Sequence, residues 1–451
     1  MKIKLTESKT SVFLLTLLVF LDMEPFFVWG TVSSLGYQLY TGLILAATVL
    51  MACRVLIKKR IVLGSGVHID DQRCISTSLL FASLLIVFLF FYQVFCSGIV
   101  TQTQQPFNMA MLCIHLGLML FVLQGNVSLG SIFLWTKRIF AFSLIPAIVV
   151  FVLMSVGVSI PHIALSADVG KNAMGESYEL YMGLAVMLRH GGVLERLCGM
   201  YREPGFVGTI GALYLFGDTL SLKKWENVVI IIAGVCTFSL AFVLLMMLGL
   251  LLRGLGNVSH RSHFKAGVFI ILAVVIGYLI FMELPLNESS MLGELQGRME
   301  LTDGGFAGDN RIDSSEAAAR AYDQFLQSDL KTRLFGYGQD HRTEVSTGVS
   351  IWQNVHSYKE FVFYFGFVGL ALVIVTVVSI YLAKFKRASA SCRWKLFVLL
   401  FLFLVSIYQR YDVTRFHYYC ILFGGGANLA LTELRKETVA TEPLIVGQDS
   451  E

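Results

Sequence analysis

The stretch Asn227–Leu252, NVVIIIAGVCTFSLAFVLLMMLGLLL, decides how the chain is arranged. It carries no charged side chain and exceeds the ~20 residues that one helix needs to cross a bilayer. Lys224 lies shortly before it and Arg253 directly after it. Basic residues favour the cytoplasmic side of a membrane, so we predict a helical hairpin with both ends on that side and Thr237-Phe238-Ser239 at its tip. Each arm has only about 13 residues, short for a full crossing, so neighbouring helices must protect the hairpin.

The whole chain has the composition of a membrane protein. Of its 451 residues, 56% are hydrophobic and 15% are charged, and the mean hydropathy is +0.70. A soluble domain is nearer a quarter charged. The apolar residues fall in blocks at 11–29, 36–57, 78–97, 107–124, 139–160, 205–221, 227–252, 266–283, 359–383, 395–409 and 416–433. We therefore predict an all-α polytopic integral membrane protein, a single transmembrane domain over 1–451 with about 11–12 transmembrane helices.

Basic residues between the blocks predict the orientation. The clusters are Lys2, Lys4 and Lys9; Arg54, Lys58, Lys59 and Arg60; Lys137 and Arg138; Lys223 and Lys224; and Lys384, Lys386 and Arg387. With a hairpin at 227–252 they all become cytoplasmic, together with both termini and the short tail 436–451, whereas a single crossing there would put later basic loops outside. Loops 161–204 and 285–357 are then external, on the periplasmic face. The first block continues through Glu24-Pro25 without a small-residue cleavage site, so we predict an uncleaved span rather than a secretion signal.

The second external loop contains a predicted amphipathic helix at about 314–334. Asp313 and Glu316 have the spacing of a helix N-cap followed by its capping Glu. The apolar residues at helical spacing are Ala318, Tyr322, Phe325, Leu326 and Leu330. Gly336-Tyr337-Gly338 is expected to end the helix. Such a helix lies on the membrane surface or packs against other spans.

The sequence lacks the motifs of several function classes. There is no HExxH pair, no CxxC pair, no P-loop GxxxxGK[ST] and no Rossmann GxGxxG. A nucleotide-driven pump and a metal site are therefore not expected. The net charge of +4 is small and does not indicate a nucleic-acid partner. Most of the eight cysteines lie in apolar blocks, where buried packing is the expected role.

Two sites could bind an anion. Tyr201-Arg202-Glu203-Pro204-Gly205 opens the block at 205–221. The planar guanidinium of Arg202 suits a phosphate, Glu203 could hold that Arg or act as an acid or base, and Pro204 suits a first helical turn. Arg311 precedes the predicted amphipathic helix, whose N-terminus attracts anions. The simpler interpretations are an interfacial Arg–Glu pair that anchors a helix and a solvated surface Arg.

Other polar groups stand where loops meet apolar blocks. His356, in Asn354–Tyr358, could accept or pass on a proton near neutral pH, although a lone interfacial His is more often a polar anchor. Asp22 and Glu24 lie toward the outer end of the first block. Ionisable groups at membrane depth tend to face a cavity or a partner, so we expect Glu24 and Arg410 to do so or to pair.

These motifs follow one another in a recognisable order. They are Arg202-Glu203-Pro204-Gly205, Thr237-Phe238-Ser239, Arg311, Leu334-Phe335-Gly336-Tyr337-Gly338, Asn354-Val355-His356 and Phe365-Gly366-Phe367-Val368-Gly369. The ordered set, over roughly 200 to 375, resembles the O-antigen polymerase and ligase superfamily, which includes the Wzy-type polymerases of bacterial surface polysaccharides. The family turn often carries Ser-Arg, whereas Leu240 follows Ser239 here.

The resemblance implies a metal-independent, inverting glycosyltransferase with a GT-C-like fold in the bacterial inner membrane. The donor would be a growing glycan on undecaprenyl diphosphate and the acceptor a new repeat unit on the same lipid. No cofactor is expected, and the partners would be these lipid-linked oligosaccharides, membrane lipid and, from family behaviour alone, a chain-length regulator protein. Arg202 and Arg311 would bind the diphosphate, with Arg298, Arg333 and Arg410 as weaker candidates. His356 and Glu203 would be the catalytic residues that position the acceptor hydroxyl or take its proton.

Three alternatives remain open from sequence. A ligase of the same superfamily would share the fold and motifs and transfer the finished glycan to another acceptor. A lipid-linked sugar transporter would favour short loops and inverted repeats, which are not evident. A non-enzymatic scaffold would not need Arg and His to recur at helix ends on one face.

Overall fold

The computed structural model is mostly helical. It describes residues 9–28, 35–36, 38–46, 129–165, 177–190, 194–256, 280, 282–285, 293, 296–297, 300–302, 305–306, 316–338, 358–386, 388–409 and 415–441. The apolar blocks predicted at 78–97 and 107–124, and nearly all of the one at 266–283, lie outside these residues. The helix count predicted from sequence therefore stays a prediction.

Most of the described helices follow the apolar blocks, whereas two, Glu316–Gln327 and Leu330–Phe335, lie in the second predicted external loop. The helices are α1 (Lys9–Asp22), α2 (Leu129–Ser155), α3 (Pro204–Phe216), α4 (Trp225–Cys236), α5 (Leu240–Gly256), α6 (Glu316–Gln327), α7 (Leu330–Phe335), α8 (Tyr358–Lys384), α9 (Ala390–Gln409) and α10 (Phe416–Thr441). In length and composition, α2 and α8 could each cross a membrane. Shorter apolar helices cover Val12–Asp22, α3, α4 and α5.

Two boundaries differ from the prediction. Helix α2 begins at Leu129, well before the predicted block 139–160, so Lys137 is inside the helix and not in a loop. Helix α10 continues to Thr441, into the predicted tail 436–451. Both extensions carry charged residues, which hydropathy excludes from a span but which a helix accommodates when the charges are paired or reach water.

Helix α3 forms the centre of the bundle. All of its residues are buried, although it has the length of only about 20 Å expected for thirteen residues. Pro204 occupies its first turn, as predicted, where a missing N–H costs nothing. A side chain at Gly208 would meet Ser239 and Phe242, so this glycine lets a neighbouring helix pack closely.

The predicted helical hairpin is confirmed. Its arms, α4 and α5, join through Thr237–Ser239 and both pack on α3. Lys224, which precedes α4, reaches Asp218 at 2.8 Å, and Arg253, near the end of α5, donates to the Asp218 carbonyl at 2.9 Å. Both ends of the hairpin therefore meet beside the end of α3. The neighbouring helices cover one side of each arm, whereas Val235 on α4 and Leu250 on α5 are exposed.

The helices share two ends. Helix α10 runs parallel to α3, since the ring of His417 lies 5.5 Å from that of Phe206 and Asn428 donates to the Gly217 carbonyl at 3.1 Å. We call the end that holds His417 and the start of α3 the sheet end. The other, which holds Asp218, is the basic end. Basic side chains packed at the basic end include Lys137, Lys224, Arg253 and Lys395.

A four-stranded antiparallel sheet lies at the sheet end, in the region predicted as the external loop 161–204. Its strands are β1 (His162–Ala164), β2 (Ser177–Tyr181), β3 (Ala185–His190) and β4 (Leu194–Gly199), paired in chain order. The all-α prediction is therefore wrong at this segment. Tyr181 and Met187 face the bundle core, whereas Tyr178 and Val186 form a second cluster with Phe26 on the other face. Because both faces are covered, the strands lack an alternation of polar and apolar residues.

The helix predicted over 314–334 is divided. It occurs as α6 and α7, separated at Ser328-Asp329, where Asp329 adopts an extended conformation as the N-cap of α7. Buried residues on α6 include Phe325, whereas Leu330 is exposed, so the predicted apolar stripe does not continue into α7. The predicted capping residue Asp313 lies outside the described residues. Two short strands, β5 (Leu301–Thr302) and β6 (Gly305–Phe306), precede these helices.

Gly336 ends α7, as predicted, and the following residues attach to a break in α8. Gly366 has a φ of 68° inside α8, so the helix is interrupted there. Because of this break, the carbonyl of Phe363 accepts a hydrogen bond from Tyr337 N–H at 2.8 Å, and that of Tyr364 accepts one from Gly338 N–H at 3.0 Å. The long loop is thereby fastened into the sheet end of the bundle.

Candidate functional site

Arg202 and Glu203 lie at the sheet end, at the entrance to α3. Glu203 is the N-cap residue of α3 in an extended conformation, and its carbonyl accepts the first helical N–H groups, from Phe206 and Val207. Its side chain makes no capping bond. Arg202 is exposed, and within the described residues no ion pair or hydrogen bond engages its guanidinium. The sequence interpretation of Arg202 as an anchor paired with Glu203 therefore finds no support among these contacts.

A buried carboxylate and imidazole lie one helical turn further along. Asp22, at the end of α1, and His417, at the start of α10, are each 1% exposed. Asp22 Oδ2 accepts the backbone N–H of His417 at 2.8 Å and lies 2.7 Å from its Nδ1. Asp22 Oδ1 accepts the hydroxyl of Tyr40 at 2.8 Å. The Asp22 carboxylate thus joins the end of α1 to Tyr40, 18 residues later, and to the start of α10, 395 residues later.

A partly exposed ion pair forms the rim of this site, closer to solvent than the buried Asp22–His417 pair. Glu24 and Arg415 lie 2.5 Å apart, and both side chains are about one third exposed. The prediction that Glu24 would pair is confirmed, but its partner in the structure is Arg415, while Arg410 lies outside the described residues. Just inside the rim, the Tyr201 hydroxyl lies 2.9 Å from the Ser143 hydroxyl. We call Asp22, Glu24, Arg202, Glu203, Arg415 and His417 the mouth cluster.

The remaining predicted site residues fall into two groups. Arg333 lies on α7, partly buried, at the sheet end but on a different element from Arg202. Arg298, Arg311, His356 and Arg410 lie outside the described residues, and their roles stay predictions. Nearby, burial and the adjacent Tyr358 raise the pKa of Tyr322 on α6 to about 12, so this hydroxyl keeps its proton at neutral pH.

Sequence reasoning missed His417 and Tyr40. The signal for His417 was available, since it opens an apolar block directly after a polar turn, as His356 does. Tyr40 gave no such signal, because a Tyr near one end of an apolar block usually marks only the membrane interface. Only the fold brings these side chains to Asp22.

A second polar cluster lies at the basic end. Asp218 lies just beyond α3 and is 1% exposed. Its carboxylate is held by Lys137 at 2.6 Å and by Lys224 at 2.8 Å, and it also accepts a hydrogen bond from Asn428. Lys137, 2% exposed, reaches Asn227 as well. Both carboxylate oxygens therefore have partners, and this network joins α2, α3, α4 and α10.

The electrostatics of Asp218 fit a permanently charged group. Burial would raise the pKa of Asp218, but the ammonium of Lys137 and the hydrogen bonds from Lys137, Lys224 and Thr219 N–H outweigh it and lower the pKa to about 2. A carboxylate held in this way does not exchange protons near neutral pH. The cluster at the basic end is therefore suited to holding helices together rather than to acid–base chemistry.

The two clusters differ in what they can do chemically. At the basic end the Asp218 carboxylate is fully engaged by Lys137, Lys224 and Asn428, although the buried Nε of Arg253 has no partner among the described residues. The mouth cluster holds an exposed guanidinium, a carboxylate at a helix entrance and a carboxylate-bound imidazole, all near the start of α3. Such groups can bind an anion and take a proton. No group of three or more His, Cys, Asp and Glu side chains among the described residues is arranged to hold a metal ion.

No protein-family model matches the chain, and neither a curated protein nor a solved structure shows significant similarity to it.

Proposed function

We propose that the chain is a polytopic glycosyltransferase of the bacterial inner membrane that polymerises lipid-linked oligosaccharide repeat units on its outer face. The observation that carries this proposal is the mouth cluster, because Arg202, which no ion pair engages within the described residues, and the buried Asp22–His417 pair both lie at the sheet end. The sheet of the first long loop and helices α6 and α7 of the second lie at that same end.

The surface of α2 supports a membrane location. Trp135, Phe142, Val149 and Val152 are each about half exposed or more and follow one another at helical spacing. Large exposed apolar stripes are uncommon on soluble proteins but are what lipid requires. With this stripe in lipid, the basic end would face the cytoplasm and the mouth cluster the periplasm, with both termini cytoplasmic.

In the proposed reaction, the mouth cluster binds the diphosphate of an undecaprenyl-linked donor. The guanidinium of Arg202 has no ion pair within the described residues, so it can accept a phosphate without first breaking one. Arg311, with Arg298, Arg333 and Arg410 as weaker candidates, would add positive charge where the leaving group develops its negative charge. Glu203 and His356 are the predicted catalytic residues, and the sugar diphosphate needs no cofactor because it is already activated. A chain-length regulator is a proposed partner.

The test is the surface glycan profile of a strain that lacks the gene. We expect lipid carriers loaded with single repeat units, and recovery of polymer when the wild-type gene is returned. Arg202→Ala should fail to restore polymer although the protein reaches the membrane. Arg138→Ala is the matched control, because Arg138 is also exposed but lies at the basic end, where it pairs with Glu226 at 3.0 Å. Polymer at wild-type level with Arg202→Ala would remove Arg202 from the mechanism.

The same experiment distinguishes the related activities. Full-length polymer that accumulates on the lipid carrier would indicate a ligase. An unchanged glycan profile would refute both enzyme proposals and favour a transporter or a scaffold. No contact within the described residues favours the ligase over the polymerase, so the polymerase stays the first proposal on the sequence motifs.

A further inference from the structure

Asp22 determines which nitrogen of His417 carries a proton. The Asp22 carboxylate only accepts hydrogen bonds, and its Oδ2 lies 2.7 Å from Nδ1 of His417. Nδ1 must therefore be the N–H nitrogen, and in the neutral ring Nε2 holds a lone pair. The Tyr40 hydroxyl and the His417 backbone N–H also donate to this carboxylate, so the imidazole is held in one orientation.

Among the residues that the structure describes, Nε2 of His417 has no hydrogen-bond partner, although it is buried. Buried polar atoms in native proteins are almost always paired, so an unpaired one calls for an explanation. This atom lies inside the mouth cluster, because the ring of His417 packs edge-on against Phe206, one turn after Glu203. Arg415, two residues before His417, pairs with Glu24 at the rim. The ring of His417 therefore lies beside the first turn of α3, which Arg202 directly precedes.

We infer that Nε2 of His417 is the proton acceptor for the attacking hydroxyl, with Asp22 as its positioning residue, which leaves Glu203 and His356 the other predicted role, that of positioning the hydroxyl. This inference rests on the proposed glycosyltransferase function. The acceptor sugar oxygen forms a bond to the anomeric carbon of the donor glycan while the bond from that carbon to the diphosphate oxygen breaks. The electron pair of the broken bond stays on undecaprenyl diphosphate, and the hydroxyl proton passes to Nε2. The Asp22 carboxylate stabilises the imidazolium that forms.

A purely structural role is the alternative, in which His417 only ties α10 to α1 through Asp22. Substitution by Asn separates the two roles. The amide of Asn places an N–H near the position of Nδ1, so the contact with Asp22 is retained, but nothing occupies the position of Nε2. His417→Asn therefore keeps the structural contact and removes the proposed proton acceptor.

The chain offers a matched control for this substitution. His162 on β1 also lies at the sheet end, but it is partly exposed and its Nε2 approaches Glu179 at 3.6 Å. His162→Asn makes the same chemical change at the same end of the molecule. It should leave turnover unchanged, because this imidazole faces the sheet and not the entrance to α3.

The experiment uses the purified full-length proteins in detergent, with lipid-linked repeat units extracted from the deletion strain as substrate. Loss of a general base lowers kcat by about 100-fold or more. We expect His417→Asn to show that loss with KM within about twofold of wild type, an unchanged thermal unfolding midpoint and wild-type turnover in His162→Asn. Turnover by His417→Asn at the rate of the wild type would overturn the inference.

Asp22→Asn provides a second measurement if His417→Asn does not fold. It preserves the shape of the carboxylate but no longer fixes Nδ1 as the donor, so kcat should fall at least tenfold while KM is retained. Normal kcat in Asp22→Asn would likewise overturn the inference. Failure of the proposed function has a different signature, because the wild-type protein itself would then not extend the extracted repeat units.

Discussion

Replacing Lys137 with Met should destabilise the protein far more than the same change at its neighbour Arg138. Lys137 is 2% exposed, and its partner Asp218 is 1% exposed. Removing one member of a buried ion pair costs about 3–5 kcal/mol, because the other charge stays buried. Lys224 still reaches Asp218, so we expect a loss near the lower limit, about 3 kcal/mol. Arg138 is 51% exposed in its pair with Glu226, and such pairs contribute less than about 1 kcal/mol.

The free energies of unfolding can be compared by denaturant titration of both variants in the same detergent, followed by circular dichroism. Tryptophan fluorescence is less suitable, since Arg138 lies over the ring of Trp135 and its removal would change the signal. The double variant Lys137→Met/Asp218→Asn should lose less than the sum of its single changes, because no unpaired carboxylate remains. Equal losses for Lys137→Met and Arg138→Met would refute the interpretation of the basic-end network as a helix clamp.

Two further predictions concern the backbone at Gly336 and Gly157 and the sides of the membrane on which Met182 and Leu222 lie. Gly336→Ala should be more destabilising than Gly157→Ala in the same titration. Both glycines have a φ of 81°, so about 1–3 kcal/mol of backbone strain is common to the two substitutions, but the added methyl group would meet the Tyr364 carbonyl at Gly336 and open space at Gly157. Equal losses of unfolding free energy would contradict the fastening of the loop to α8. Met182→Cys, at an exposed position of the sheet end, should react with a membrane-impermeant maleimide in cells whose outer membrane is permeable and whose inner membrane is intact. Leu222→Cys, at an exposed position of the basic end, should react only after the inner membrane is opened. The reverse result would invert the proposed orientation.

The hairpin of α4 and α5 could be predicted from sequence because two independent signals agreed. The apolar stretch was too long for one helix of typical length, and basic residues stood at both of its ends. The turn at Thr237–Ser239 then followed from the midpoint of the stretch. Pro204 at the start of α3 and Gly336 at the end of α7 were predictable for a similar reason, since each residue has one backbone preference that suits one position.

Other features depend on contacts that no local pattern contains. The strands β2 to β4 are short and covered on both faces, so their residues give neither a helical nor an alternating pattern. The charge of Lys137 predicted a loop, yet in the structure Asp218, 81 residues later, keeps it inside a helix. Asp22 and His417 are 395 residues apart, and neither position alone indicates a partner. Long-range pairing of polar groups thus accounts for most of what the sequence did not predict.

The contrast between the two polar clusters gives the strongest reason to place the function at the sheet end. A fully satisfied carboxylate in a low-dielectric interior is held rigidly, and Asp218 fits that description, since two ammonium groups and an amide occupy it. Departures from full satisfaction are expected at functional sites, where a group must remain available to a substrate. In the mouth cluster, Nε2 of His417 and the guanidinium of Arg202 have no partner within the described residues, whereas the Asp22 carboxylate is itself well paired. Stability would therefore depend on the basic end, and turnover on the sheet end, so Lys137→Met and His417→Asn should affect different measurements.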